Sequence, residues 1–423
     1  MDFWNTQLVI YDKQLIKQIF VKDFQSFVDR GAPALLPHPF NLNLLEVKGQ
    51  QWKRLRTIMT PTFTSGKLKQ IFFRIVEYSN YCLDRVEDDC NDGKSMDLQK
   101  LAGKYSLGII GTLAFGLDIR SNDREMTESL LSKLKEPAEN IETTNPLPLI
   151  GFLFPFFISS YPDEKGDCKL PNVSAEIMEP VMQMVEQVYN HRKDGHTRND
   201  MFQMLFEAST KDGDGMNKHE LFSNVAVFLL AGFHTTMTSL SFSMYLLAQR
   251  PDLQEECAQE VERLLDGADE LTYEMVHEMK LVELVMKETI RLFPPVRRHF
   301  RKCVSPTHLG GSPIEKGVTL IVPAHVINRL PEYWGDDAEE FNPKRFLNRE
   351  GADDAEFQAF GYGQRRCIGE RLALLEGKLF LARLLLKYRL VACDESKTLP
   401  NVDGFSWMTH PATTLKCNVT RRK

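Results

Sequence analysis

The chain has 423 residues, 43% hydrophobic and 26% charged, a composition that gives a large folded core and excludes a disordered chain. Lysine and arginine number 52 against 58 acidic residues, a net charge of -6. That sign is opposite to the basic footprint a phosphate backbone selects, so nucleic acid is not an expected partner.

No Gly/Ser-rich or Pro-rich linker divides the chain, and a single domain over 1–423 is expected. The eight cysteines, at 82, 90, 168, 257, 303, 367, 393 and 417, show no CxxC pairing or zinc spacing. This pattern predicts free thiols in a reducing milieu and leaves the sequons at Asn172 and Asn418 unused. The first residues, Met1 to Asn5, carry no charged segment followed by an apolar run, so neither a signal peptide nor an N-terminal anchor is expected there.

In chain order, Leu8 to Ile10 reads as a short strand, and Asp12 stands where a helix cap belongs, before Leu15, Ile16, Ile19 and Phe20. Leu68, Ile71, Phe72, Ile75, Val76, Cys82, Leu83 and Val86 follow helical spacing and predict an amphipathic helix. Similar patterns predict helices over 98–115, 175–189 and 253–265, the last bounded by Pro251 and Gly267. The stretch 146–161 is apolar but too short to span a bilayer and is broken by Pro146, Pro148 and Pro155. It suits a loop dipping into a membrane surface, the mouth of an apolar pocket, or a loop packed on the core.

From Leu221 to Gln249 there is no Asp, Glu, Lys or Arg, enough length to cross a bilayer. Asn224, His234 and a cluster of Ser and Thr residues instead predict a buried central helix. After Pro294-Pro295 the text changes to short β-branched pieces such as Val318 to Val322, which predict a small sheet. A long helix over 368–386 and strands at 390–392 and 413–419 complete a mainly α chain with a smaller β part, an α+β class.

The sharpest segment is Phe360-Gly361-Tyr362-Gly363-Gln364-Arg365-Arg366-Cys367-Ile368-Gly369, running into that last helix. A cysteine at a helix start has its thiolate stabilised by free N–H groups and the positive end of the helix dipole, as an anionic metal ligand requires. Gly363 permits a turn other residues resist, Gly369 lets the helix approach a flat group, and Arg365 can pair with a carboxylate.

The segment resembles the haem-binding signature F-x-x-G-x-R-x-C-x-G of the cytochrome P450 superfamily, matched at Phe360, Gly363, Arg365, Cys367 and Gly369. Glu288-Thr289-Ile290-Arg291 is similar to the family's E-x-x-R pair. Arg345, in Phe341-Asn342-Pro343-Lys344-Arg345-Phe346, resembles the third member of its buried network. Trp52 and Arg56 resemble its W-x-x-x-R, whose side chains reach a haem propionate, and Arg298 is the candidate for the other propionate. Ala231-Gly232-Phe233-His234-Thr235-Thr236 resembles A/G-G-x-D/E-T-T, the stretch over the haem where dioxygen binds. The order of these segments along the chain also agrees with the family.

The resemblance implies the cytochrome P450 fold, with a long central helix over haem b (iron protoporphyrin IX) and the Cys367 loop before a C-terminal helix. It implies a monooxygenase that inserts one oxygen atom from O2 into apolar xenobiotics, steroids or lipids. Electrons would come from an NADPH-cytochrome reductase. Cys367 would be the axial ligand, Arg56, Arg298 and Arg365 would hold the propionates, and Thr235 with His234 would deliver protons.

The branch it most resembles is the animal microsomal detoxifying one, implying the cytosolic face of the endoplasmic reticulum membrane, with peripheral membrane contact. Three departures stand out: His234 replaces the usual acid, Asn328-Arg329 replaces the usual His-Arg, and the family's anchor and first strands are not in this sequence. They leave open a haem-thiolate isomerase or dehydratase of lipid peroxides, and a non-catalytic truncated haem-binding remnant.

Overall fold

The computed structural model describes residues 6–31, 41–91, 95–116, 173–209, 215–349, 355–396, 398–402 and 408–422. The apolar stretch 146–161, Cys168 and Asn172 lie outside the described residues.

The chain opens with β1 (Gln7–Val9) and the short helix α1 (Lys13–Lys17). Asp12 caps α1 as its position predicted, its Oδ1 accepting the N–H groups of Gln14 at 2.8 Å and Leu15 at 2.9 Å. Helices α2 (Gly49–Met59), α3 (Ser65–Asn91) and α4 (Leu98–Phe115) follow, with β2 (Met96–Asp97) before α4. Then come α5 (Val173–Lys193), α6 (Met201–Ser209), the 31-residue α7 (Lys218–Ala248), α8 (Pro251–Leu265) and α9 (Lys280–Leu292).

The β-rich part holds β3 (His299–Lys302), β4 (Thr307–Leu309), β5 (Ser312–Ile314) and β6 (Thr319–Val322). After it, α10 (Glu370–Lys387) leads to β7 (Tyr388–Val391) and β8 (Lys416–Arg421). One sheet runs β1-β6-β3, with β1 parallel to β6 and β3 antiparallel to it. Another runs β2-β8-β7, and β4-β5 is a hairpin turned by Gly310 and Gly311 at positive φ. This is the α+β architecture the sequence predicted.

Helix α7 is the axis of the core. It is long and apolar enough to cross a membrane, but it is packed inside the protein, its two ends almost wholly buried. Its start is fixed by a capping box: Asn217 Oδ1 accepts the Glu220 N–H at 2.9 Å and Glu220 Oε2 accepts the Asn217 N–H at 3.1 Å. Glu220 is buried and also holds α2, accepting from Gln51 Nε2 at 2.9 Å and pairing with Arg54. One turn on, Asn224 Oδ1 accepts the Leu44 N–H at 2.8 Å, which straps the segment before α2 onto the same helix.

A second apolar cluster lies between the β1-β6-β3 sheet and the segment after it, with Phe20, Leu320, Ile327 and Trp334 at its centre. Cys82, Cys257, Cys303, Cys367, Cys393 and Cys417 are free, as their spacing predicted; the side chains of Cys90 and Cys168 are not among those described.

Candidate active site

The segment 360–369 folds into a tight loop ahead of α10. The Cys367 N–H donates to the Phe360 carbonyl at 2.9 Å and the Arg366 N–H to the Gly363 carbonyl at 3.0 Å. Gly363 has φ +69, and a Cβ there would stand 2.1 Å from the Phe20 carbonyl oxygen, so both conformation and closeness exclude any other residue. Gly369 is the N-cap of α10, and a Cβ on it would meet only Phe63 Cε1, at 3.8 Å. The space it leaves is open to a bound group.

Cys367 has accessible surface, yet burial is the largest influence on its thiol and pushes it up. Both hold for a side chain in the wall of an enclosed cleft. The Gly369 N–H and the charges of Arg30 and Arg56 pull the thiol back toward ionisation, and Glu370 opposes them.

Around this thiol stand four guanidiniums. Arg365 lies 4.4 Å over the Trp52 ring and donates through Nη2 to the Val47 carbonyl at 3.0 Å, while its Nε and Nη1 have no acceptor among the described residues. Arg301 lies 4.3 Å over Phe20, with its Nε also unsatisfied. Arg30 donates to the Arg365 carbonyl at 3.3 Å. The nearest acid is Asp29, 3.9 Å from Arg365.

Burial, then mutual repulsion, pulls Arg365 down to about 9, and burial pulls Arg30 down to about 10, Cys367 raising it and Arg56 lowering it. Burial also lowers Arg56, and it lowers Arg301 far, with Arg30 and Arg365 adding to the effect. Beside them burial drives His299 down to about 4, and its Nε2 meets the Gln358 carbonyl at 2.7 Å. Buried guanidiniums with idle N–H groups and one carboxylate among them form a cradle for a dianion. The two propionates of a haem fit that donor set.

The opposite wall comes from α7. Between its buried ends, accessible surface returns over 230–239, most at Ala231. Thr235, one turn from Ala231, donates its hydroxyl to the Ala231 carbonyl at 2.5 Å. Gly232 serves packing instead, since a Cβ there would stand 3.0 Å from Ile110 Cδ1 of α4. His234 packs edge-on against His410, ring centroids 4.8 Å apart. The next residue, Thr236, donates to Glu376 Oε1 of α10 at 2.9 Å, so the helix after the cysteine is bonded directly to this turn.

The structure thus gathers Trp52, Arg56, Phe360, Gly363, Arg365, Cys367 and Gly369 at one place, with Thr235 and His234 on the helix bonded to α10. Arg298 stands elsewhere: its charge is felt at His325, with those of Arg297 and Arg329. In β3, which begins at His299, side chains alternate, so His299 and Arg301 share one face, and Arg301 is the arginine coupled to Arg30 and Arg365. Arg301 therefore occupies the place the sequence reading gave to Arg298. Arg30 carried no motif and reaches the site through the Asp29–Lys302 bridge.

Glu288, Arg291 and Arg345 do form a buried network: Arg291 Nε donates to Glu288 Oε2 at 2.7 Å and Arg345 Nε to Glu288 Oε1 at 2.8 Å. Asn328, at the His-Arg departure, is buried and ties two parts together. Its Oδ1 accepts the Gln358 N–H at 2.9 Å, and its carbonyl accepts Arg291 Nη1 at 2.7 Å.

A helix-entry thiol inside a cationic cradle, on a loop whose helix is bonded to α7, is the construction of a haem-thiolate protein. A family model described as cytochrome P450 matches residues 3–417, and the chain belongs to that family, whose members are haem-thiolate monooxygenases. Cytochrome P450 3A41 of Mus musculus is 31% identical over 401 residues, 92% of this chain and 78% of the relative. Cytochrome P450 3A5 of Homo sapiens is 30% identical over 404 residues, 92% and 78%. Cytochrome P450 3A14 of Cavia porcellus is 30% identical over 424 residues, 98% and 82%.

Proposed function

We propose that this monooxygenase binds haem b with Cys367 as its thiolate ligand and inserts an oxygen atom from O2 into apolar xenobiotics, steroids or lipids. Its electrons come from an NADPH-dependent reductase, at the cytosolic face of the endoplasmic reticulum. The observation that carries the reading is the accessible thiol of Cys367 beside the guanidiniums of Arg365 and Arg301, some of whose N–H groups have no acceptor among the described residues.

In this reading Arg30, Arg56, Arg301 and Arg365 bind the propionates, replacing mutual repulsion with charge-assisted hydrogen bonds. Trp52 supports the Arg365 plane from below. When bound, the haem supplies the activation of dioxygen, and the thiolate ligand favours O–O cleavage.

On the α7 side, Ala231 and Thr235 leave room for small ligands. The Thr235 hydroxyl holds a proton against the Ala231 carbonyl, which it can release only by rotating toward the cleft. His234, in contact with His410, stands where the family carries an acid and offers an imidazole for the same proton traffic.

The test is the reduced, carbon-monoxide-bound spectrum of the purified protein, followed by reductase-dependent NADPH consumption with product formation. Changing Cys367→Ser abolishes the thiolate spectrum; if it survives, the ligand assignment is wrong. Turnover of a lipid peroxide without reductase would instead mark an isomerase or dehydratase, and no haem uptake at all a remnant.

A further inference from the structure

Helix α10 is apolar on nearly every side, and it buries three charged residues, Glu376, Lys378 and Arg383. Two of them have partners of opposite charge. Lys378 Nζ donates to Glu283 Oε2 at 2.9 Å, and Arg383 Nη2 lies 3.4 Å from Glu270 Oε1.

Glu376 is different: among the described residues no cation pairs with it. Its carboxyl accepts from the Thr236 hydroxyl at 2.9 Å, and its main-chain carbonyl accepts from the Tyr105 hydroxyl at 2.9 Å. The other titratable groups around this spot are Tyr78 and Cys82 from α3 and Arg383 on α10 itself, all felt at Tyr105.

Burial, only partly offset by the Thr236 bond, pushes the Glu376 carboxyl up to about 8. Burial first, then the nearness of Glu376, drives the Tyr105 hydroxyl well above its ordinary value, so it stays neutral throughout. At neutral pH Glu376 therefore keeps its proton and can both donate and accept.

Thr236 follows Thr235, and α10 begins just after Cys367. One hydrogen bond therefore fastens the cleft-facing turn of α7 to the helix that carries the thiol at its entry. We propose that Glu376, as a neutral carboxylic acid, is the positioning residue that locks these two walls together through Thr236, and that its ionisation releases them. A lone carboxylate in this apolar setting draws in water, and the two helices must part to admit it. The lock is intact at low and neutral pH and opens as pH rises. The position of the lock comes from geometry alone; only the spectroscopic arm of its test rests on the haem-thiolate reading.

The experiment compares the full-length protein with Glu376→Gln and Thr236→Val. In the infrared difference between native protein and Glu376→Gln, the carbonyl band of a protonated carboxyl is expected at neutral pH, fading with a midpoint near about 8. The thiolate form of the carbon monoxide complex is expected to decline over the same range in native protein but not in Glu376→Gln, whose amide cannot ionise. Thr236→Val should show a diminished thiolate form already at neutral pH, with no further step near about 8.

Two results would overturn the proposal: no carboxyl band at neutral pH, or one alkaline midpoint shared by native protein and Glu376→Gln. If Glu376→Gln fails to fold, a native pH profile in Thr236→Val does the same. A native protein without any thiolate form contradicts the haem-thiolate reading instead. The lock is then decided by the infrared band and by the difference in melting temperature between native protein and Glu376→Gln, which should move against native protein as pH rises from about 4.5 to 8, the groups the two share cancelling.

Discussion

Around Glu288 every N–H of Arg291 meets an acceptor, whereas around Cys367 the guanidiniums of Arg365 and Arg301 keep N–H groups with none. Both regions are buried and rich in arginine. In the first, Arg291 gives its two Nη1 hydrogens to the Asn328 and Ala338 carbonyls at 2.7 and 2.6 Å, and Arg345 is raised because Asp337 and Glu288 outweigh burial. In the second, burial lowers every guanidinium, and the arginines themselves add to the loss. A complete set of partners marks a joint of the fold, and an incomplete one marks a place kept for a ligand.

The contrast breaks most visibly at Glu288. Glu288→Ala strands Arg291 and Arg345 in the core at about 3–5 kcal/mol, so folded protein and haem content should fall together. A haem-replete, normally stable Glu288→Ala protein would erase the distinction between the two regions.

Arg365→Ala should behave in the opposite way. It removes a charge that its neighbours repel, so the apoprotein should melt no lower than the native one. Haem should dissociate faster, by roughly tenfold to a hundredfold, for about 1.5–3 kcal/mol of lost charge-assisted hydrogen bonding. Arg301→Ala is expected to follow Arg365→Ala, and Arg298→Ala to leave haem dissociation unchanged. Equal effects of Arg298→Ala and Arg301→Ala on haem dissociation would show that the strand's alternation does not set the cradle.

The smallest effect concerns acid stability. His299, beside the cradle, is held neutral, lowered from 6.5 to about 4 first by burial. Folding therefore releases its proton in that window: stability is full above 6.5, and declines as pH falls toward about 4. His299→Gln should flatten this limb of the melting curve against pH. A limb unchanged by the substitution would move the acid sensitivity to other groups.

What the sequence disclosed follows the range of each interaction. The cysteine loop is local: Phe360, Gly363, Arg365, Cys367 and Gly369 lie within ten positions, and the Cys367–Phe360 and Arg366–Gly363 backbone bonds stay inside them. Glu288 and Arg291 are equally local, one turn apart on α9. Arg301 required the phase of a strand that pairs with β6 on one side and bridges to Asp29 on the other, and a basic run by itself could not say which arginine faces inward. Arg30 needed the fold outright, since its place is set by its sequence neighbour Asp29, which bridges to Lys302. Glu376 was hidden for another reason: an acid in a helical pattern reads as the solvent face, but α10 is buried continuously from Leu375 to Leu385 and has no such face there.

The contact between Gly363 and the Phe20 backbone has a consequence in time. Phe20 leaves the ribosome long before the loop that rests on it, because most of this sequence separates Phe20 from Gly363. The parallel pairing of β1 with β6 imposes a similar wait. Such distant partners close late, because the entropy of the large intervening loop must be overcome before their contacts form. During synthesis the N-terminal segment is thus an unfinished surface, with Phe20, Phe24 and Phe27 unburied and open to capture by chaperones. The cofactor's pocket exists only once the cysteine loop has arrived, so insertion of the cofactor must wait for the meeting of these two distant segments.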